Sequence, residues 1–375
     1  MKKLNYLITV LILCMLSCVP VLSAELNLSS TSACLMEAST GKVLYEMNAD
    51  EKLEPASVTK IMSLVLVFEA LDEGKFDLDT PVSGSEYACS MGGSQIWLEP
   101  GETMSVNEML KAVVVASAND CTVALGELVA GSEESFVALM NEKAEKLGMT
   151  NTHFSNCTGL PAENHYTTAR DIAVMTNELH KHKDVYNYTK IWMDTLRGGE
   201  FGISNTNKLI RFYSGATGMK TGYTSSAKYC MSATAEKNGM TLIAAVMKCE
   251  TSDKRFADAK KLLEHGFANY EIYTPRDPEL QPLCVKGAGE KSVETQALQQ
   301  PILIPKGKSS KLEKQISIDE SITAPFKKNT EVGKVSYTLD GNEICSYPIV
   351  TKSGMDRITL LSLFCRILSS SVTVC

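Results

Sequence analysis

The hydrophobic rhythm of this chain of 375 residues changes several times, and each change predicts a different kind of element. Leu4 to Val21 is a nearly unbroken apolar run behind Lys2 and Lys3, and it closes on Leu22-Ser23-Ala24. Positive, apolar and small residues in that order read as an export leader over 1–24, cleaved after Ala24. The run approaches the ~20 residues of a spanning helix, but Pro20 and the small Ser23 and Ala24 favour cleavage. Two short apolar runs follow, Ala33 to Met36 and Val43 to Glu46, separated by Ser39-Thr40-Gly41-Lys42, which is a strand–turn–strand signal. A helix begins near Pro55 and presents Ile61, Leu64, Val65 and Phe68 at 3–4 spacing. Two more apolar helices cover Val106 to Ser117 and Asn119 to Val129; Ser132 then caps an amphipathic helix that Gly148 ends. Strands return at Thr217 to Thr224, Tyr229 to Ala235 and Thr241 to Met247, followed by a helix from Lys254 to Gly266. Strands at both ends with helices between them predict an antiparallel sheet flanked by helices and assembled from both ends of its domain, an α/β (α+β) architecture over 25–275.

Tyr273-Thr274-Pro275-Arg276-Asp277-Pro278 breaks the helical pattern, and the rhythm beyond it is different. Ile302-Leu303-Ile304, Lys334 to Leu339 and Cys345 to Val350 are short alternating runs between turn signals, so 276–352 reads as a small all-β, sandwich-like domain. Within 353–375, Leu360, Leu361, Phe364, Ile367 and Leu368 share one helical face. Such a face either lies on a membrane surface or packs on the protein, and it is too short and polar to span.

Composition narrows the function classes. A net charge of −7 leaves no basic excess to neutralise phosphates, which argues against a nucleic-acid partner. Twelve cysteines are scattered without a CxxC pair. Ten of them follow the leader, several inside apolar runs where cysteine behaves as a small buried hydrophobe, so free buried thiols are expected. His180-Lys181-His182 is flanked by lysines and reads as a solvated helix end. With no HExxH or other ligand constellation, no metal or other cofactor is expected. The basic run Lys306 to Lys314 reads as a solvated loop or edge.

Three short motifs carry chemistry. Ser57-Val58-Thr59-Lys60 places a hydroxyl and an amine on one helical face, near a helix N-terminus whose N–H groups suit an oxyanion. A lysine can deprotonate such a serine if burial or a neighbouring cation lowers its pKa. Ser117-Ala118-Asn119 sets a hydroxyl and a carboxamide between two apolar helices, suited to proton relay or to capping. Lys220-Thr221-Gly222 lies in a predicted edge strand, where the side chains suit a carboxylate and the glycine permits close approach of a ligand backbone. Each motif alone is weak, since Ser39/Lys42, Ser225/Lys228 and Ser105/Asn107 match the first two by chance. The ordered set is the combination found in penicillin-binding proteins and class A β-lactamases.

The motifs, with Leu35 to Tyr45, Pro55 to Lys60, Gly218 to Thr224 and Arg255 to Ala259, closely resemble the low-molecular-mass D-alanyl-D-alanine carboxypeptidases. That resemblance implies the DD-peptidase/β-lactamase fold and a serine peptidase that trims peptidoglycan stem peptides and is acylated by β-lactam antibiotics. It implies Ser57 as nucleophile, Lys60 as general base, and Ser117, helped by Asn119, as the path for the proton. It further implies Lys220, Thr221 and Gly222 as binders of the substrate carboxylate, and the backbone N–H groups of Ser57 and Tyr223 as the oxyanion hole. Lys228, where relatives commonly carry glycine, and Thr158, where histidine is frequent, depart from the pattern. A class A-like β-lactamase and a non-catalytic sensing module are the alternatives; the former needs a deacylating glutamate, for which Glu163 is the superficial candidate without the expected spacing to asparagine.

Overall fold

The computed structural model describes residues 26–359. The leader and the apolar face that begins at Leu360 lie outside the described residues. Five strands form one antiparallel sheet: β1 (Ser32–Glu37), β2 (Val43–Met47), β3 (Ala216–Thr224), β4 (Lys228–Lys237) and β5 (Met240–Cys249). Their spatial order is β2-β1-β5-β4-β3, so the N-terminal hairpin adds to the last strand in sequence, and β3 is left as an edge. The turn between β1 and β2 is organised by the buried Glu37, whose carboxylate accepts the N–H groups of Ser39 and Thr40 at 2.9 and 2.8 Å.

The period of two along the strands sorts residues into two cores. Cys34 and Met36 of β1, with Ile243, Ala245 and Met247 of β5, face the large helical layer. Ala33 and Leu35, with Leu242, Ala244 and Val246, face a single helix, α5 (Ser252–Asn269), through its Phe256, Ala259, Leu262 and Leu263. Both sheet faces are therefore covered, which accounts for the nearly unbroken apolar runs in these strands. The large layer holds α1 (Lys60–Asp72), α2 (Asn119–Ala130), α3 (Glu133–Lys146) and α4 (Ala169–Lys181). Nearly every position of α1 is buried, so it is a core helix wrapped by neighbours rather than an amphipathic surface helix. Ser132 caps α3 by accepting from Ser135 N–H, as its sequence predicts. The helix expected to run unbroken from Val106 to Ser117 instead turns π-helical at Ala112–Ala116 and ends there.

After α5, Tyr270–Tyr273 pairs with Ile302–Pro305, and the remaining chain is all β. Its main sheet contains β6 (Thr295–Ala297), β7 (Leu312–Ile318), β8 (Glu331–Leu339) and β9 (Asn342–Thr351), in the order β6-β9-β8-β7. A separate core of Leu283, Val293, Ile304, Val335, Tyr337 and Ile349 lies beneath it. The basic run enters β7, an exposed edge strand where lysines oppose further pairing. Bridges Phe326–Met355 and Ala288–Arg357 carry the pairing past residue 352. Among the described residues no helix is long and apolar enough to cross a membrane.

Candidate active site

Ser57 lies in a 3-10 turn, Ala56–Thr59, that runs directly into α1. Ala56 adopts a left-handed φ of 49°, a conformation that costs a non-glycine residue roughly 1–3 kcal/mol unless its surroundings enforce it. The enforcing contact is Gly159, where an added Cβ would stand 1.8 Å from the Ala56 carbonyl oxygen. Only glycine allows the 156–160 loop to come this close. The approach also delivers the Thr158 carbonyl to Lys60 Nζ at 2.9 Å. Thr158 thus enters the site through its backbone, so its departure from the family pattern leaves this contact intact.

Lys60 is the first residue of α1 and is fully buried. Its Nζ reaches Ser57 Oγ at 3.1 Å, Asn119 Oδ1 at 2.5 Å and the Thr158 carbonyl at 2.9 Å. Burial pushes the amine down to about 7, with Asp120 among the groups that oppose the shift. The partner set defines the chemistry. An oxygen that can only accept stands at two of the three positions, so a neutral amine donates to those two and turns its lone pair to the Ser57 hydroxyl. That is the geometry of a base.

Ser117 closes the π-helical turn at φ 64°, ψ 30°, a second left-handed residue beside the cleft. Its Oγ accepts from Lys220 Nζ at 2.9 Å, and Lys220 also donates to the Thr221 carbonyl at 3.1 Å. Lys220 is buried, and burial, then the charges of Lys60 and Arg255, hold its pKa well below the usual amine range. Thr221 Oγ1 donates to Thr206 Oγ1 at 2.7 Å. Both polar atoms of the Asn119 carboxamide are engaged, Oδ1 by Lys60 and Nδ2 by the Gly92 carbonyl at 2.6 Å.

Gly222 has a different physical reason from the one its sequence suggests. A Cβ there would lie 2.7 Å from the Pro55 carbonyl and 3.0 Å from the backbone nitrogens of Ser57 and Val58. The glycine therefore serves close approach of the strand to the Ser57 turn rather than of a ligand to the strand. This approach brings the backbone of Tyr223 next to that of Ser57, while the Tyr223 ring is half exposed and stacks on Tyr229 at 4.4 Å.

Several supporting residues escape sequence reasoning because their partners are distant in the chain. Asp120 is buried and accepts the N–H groups of Ile96 and Leu98, both at 3.0 Å, which pins the 92–98 loop over Asn119. Arg255 donates to the Gly222 carbonyl at 3.2 Å from behind the strand, and Asp258, one turn later, accepts the N–H groups of Ser29 and Ser30 at 2.7 Å. The Arg255 to Ala259 match was visible in the sequence, but not its purpose. His165 Nδ1 accepts from Ser155 N–H, which assigns the ring proton to Nε2 and its hydrogen bond to Thr59 Oγ1 at 2.8 Å. Burial holds this imidazole down to about 4, so it is neutral. His180 and His182 are tied instead to Tyr186 and Asp72. Glu163 is exposed, its carbonyl accepting from Ser155. The eight cysteines among the described residues are free thiols, five of them buried.

Comparison with known proteins agrees with this geometry. The family described as D-alanyl-D-alanine carboxypeptidase matches residues 20–251, and the penicillin-binding protein 5 C-terminal domain matches 273–357. The chain is 42% identical to the D-alanyl-D-alanine carboxypeptidase DacF of Bacillus subtilis, over 92% of this chain and 90% of that one. The crystal structure of penicillin binding protein 5 from Haemophilus influenzae superimposes with a TM-score of 0.79 at 32% identity, covering 88% of this chain and 98% of the other. Penicillin-binding protein D2 from Listeria monocytogenes, solved in its ampicillin-bound form, matches at TM-score 0.59 and 32% identity over 64% of this chain and 99% of that one. The chain belongs to the D-alanyl-D-alanine carboxypeptidase family of serine peptidases.

Proposed function

We propose that the protein removes the terminal D-alanine from peptidoglycan stem peptides through an acyl-enzyme on Ser57. The observation that carries this reading is the buried Lys60 amine, directed at Ser57 Oγ and held near neutrality. Lys60 takes the hydroxyl proton as Ser57 Oγ bonds to the carbonyl carbon between the two D-alanines. The oxyanion is met by the N–H groups of Ser57 and Tyr223. The C–N bond then breaks, and the departing amine receives its proton by way of Ser117, whose Oγ is bonded to Lys220. Water attacks the ester carbonyl, the C–O bond to Ser57 breaks, and the serine recovers its proton.

Lys220 explains the preference for a free C-terminus. It is a buried cation with cations for neighbours and no carboxylate in hydrogen-bond contact, so a substrate carboxylate supplies the missing counter-charge, aided by Thr221. Asn119 fixes Lys60 and the 92–98 loop and borders the scissile amide. A β-lactam, which presents a carboxylate beside a reactive amide, enters by the same route; the ampicillin-bound relative supports this.

The sequence supports an extracytoplasmic place of action, with 1–24 as a signal peptide, 25–275 as the catalytic domain and 276–352 as a β domain. It also supports 353–375 as a peripheral contact with the outer face of the cytoplasmic membrane. The decisive experiment is D-alanine release from a muropeptide ending in D-Ala-D-Ala by the purified protein beside Ser57→Ala. Release that depends on Ser57 is expected, as is labelling of the wild type alone by fluorescent penicillin. Labelling without release would overturn the reading in favour of a sensor.

A further inference from the structure

Two elements that touch the catalytic side chains converge on an exposed aromatic pair. The first is the 92–98 loop, which accepts from Asn119 through the Gly92 and Ser94 carbonyls at 2.6 and 2.7 Å and is pinned by Asp120. The second is the hairpin of Met193–Leu196 and Phe201–Ser204, which runs on into Thr206, the partner of Thr221. Thr206 N–H in turn bonds the Val115 carbonyl in the π-helical turn that ends at Ser117. At their junction the rings of Trp97 and Phe201 meet edge to face, with centroids 5.9 Å apart.

Trp97 is not held there for packing. Its neighbours Ile96 and Leu98 are buried in the core, yet Trp97 is 65% exposed and takes a left-handed φ of 55°. A bulky residue in that conformation is strained by roughly 1–3 kcal/mol, and the Asp120 carboxylate maintains it by taking the N–H groups on either side. The indole forms one wall of a cleft of about 340 Å³ shared with Ile96, Glu99, Glu102, Arg197 and Phe201, a size at the lower end of the range for small-ligand sites. Arg197 spans the junction, donating to the Ile96 and Trp97 carbonyls at 3.0 and 3.3 Å and to Glu102 at 2.7 Å, with its guanidinium 5.3 Å from the Phe201 ring.

We infer that this cleft is a sugar subsite, in which the Trp97 ring stacks on a pyranose of the glycan strand that carries the stem peptide. The inference rests on the carboxypeptidase reading of the Ser57 site and names how that site engages the rest of its substrate. An aromatic ring presents a negative face, which attracts the weakly positive C–H groups on one side of a pyranose. The paired carboxylate and guanidinium of Glu102 and Arg197, with the exposed Glu99, offer both acceptors and donors for the hydroxyls and N-acetyl groups at the ring edge. A cationic side chain of the stem peptide is the poorer occupant, because Arg197 already places a positive charge at the aromatic pair.

Two measurements test this. In the first, kcat/KM for D-alanine release is compared between a disaccharide-linked pentapeptide and the same pentapeptide without sugar. Trp97→Ala is expected to lower the ratio of the two values about tenfold, and Trp97→Phe to restore most of it. An unchanged ratio overturns the inference, as does a ratio that falls only when the peptide's side-chain amine is left free. In the second, a stem-free glycan fragment is added and the indole N–H signals are followed by NMR. Only Trp97 should move; Trp192, the one other tryptophan, has its indole nitrogen buried and serves as control. No movement of the Trp97 signal overturns the subsite even if the protein proves not to release D-alanine. Failure of release from both substrates with Trp97 still responding would strike the carboxypeptidase reading alone.

Discussion

The two sides of the cleft solve one problem, a lysine amine held against a serine hydroxyl away from water, with different means. On the helix side Ser57 and Lys60 are one turn apart, and the amine has three acceptors. On the strand side Ser117 and Lys220 come from opposite ends of the domain, and the amine has two. Burial lowers both pKa values, but only Lys60 is relieved by a nearby carboxylate, Asp120, whereas Lys220 faces Lys60 and Arg255. The helix side is complete before substrate arrives and is set to take a proton. The strand side lacks an anion and is set to take a carboxylate.

Substitutions should separate these tasks. Lys60→Met removes the base and should lower acylation by substrate and by penicillin about a thousandfold, read as the rate of fluorescent penicillin labelling. Lys220→Met should cost about a hundredfold, and its signature is selectivity: the wild type should favour a free C-terminal carboxylate over its amide, and the variant should lose that preference. If Lys60→Met erased the preference instead, the division of labour would be wrong.

Acid should act on the helix side first. The folded value of about 7 for Lys60 means that the amine becomes protonated, and its lone pair is lost, as pH falls below 7. The kcat/KM profile should therefore fall about tenfold per unit on the acid side of a midpoint near 7. Asp120 holds the amine up, so Asp120→Asn should move that midpoint to lower pH. It should also loosen the 92–98 loop, because an amide cannot accept from all three N–H groups that Asp120 now serves. A midpoint that moves upward would show that Asp120 acts through the loop alone.

What the sequence reveals follows the same divide. The Ser57–Lys60 pair is local, and its i, i+3 spacing on a helix gives its geometry at once. The strands of both cores are legible because their residues alternate or run apolar, as in Ala33 to Met36 and Thr241 to Met247. The Lys220–Ser117 contact is not legible from spacing, since it depends on sheet order, and only the resemblance to a family connected the two. Gly159 and Gly222 lie further out of reach: each is required by a backbone that arrives from elsewhere in the chain. Gly222→Ala should make the point in numbers. Its Cβ meets three backbone atoms of the Ser57 turn that cannot rotate away, so stability should fall by about 1–3 kcal/mol and acylation by about tenfold or more. Gly202→Ala, where the added Cβ meets nothing within 4 Å, should stay within about 0.5 kcal/mol of the parent in urea unfolding.

Lys228 offers the smallest effect, at the rim of the strand side. It holds φ 57° where β4 begins, directly paired with Thr224 across the turn that follows the Lys220 strand. Its side chain is exposed, so little packing is lost with it. A left-handed position explains why relatives commonly use glycine here, since glycine enters that region without a Cβ clash. Two terms oppose each other in Lys228→Gly: relief of the left-handed strain, and the greater freedom glycine gives the unfolded chain. The strain term is the larger for a long side chain, so the variant should gain about 0.5–1 kcal/mol in urea unfolding, with D-alanine release within about twofold of the parent. A loss of stability would mean that the Lys228 side chain holds the turn. A large fall in release at unchanged stability would place its ammonium in the substrate's path, and the strand side would then have a second cation to offer a carboxylate.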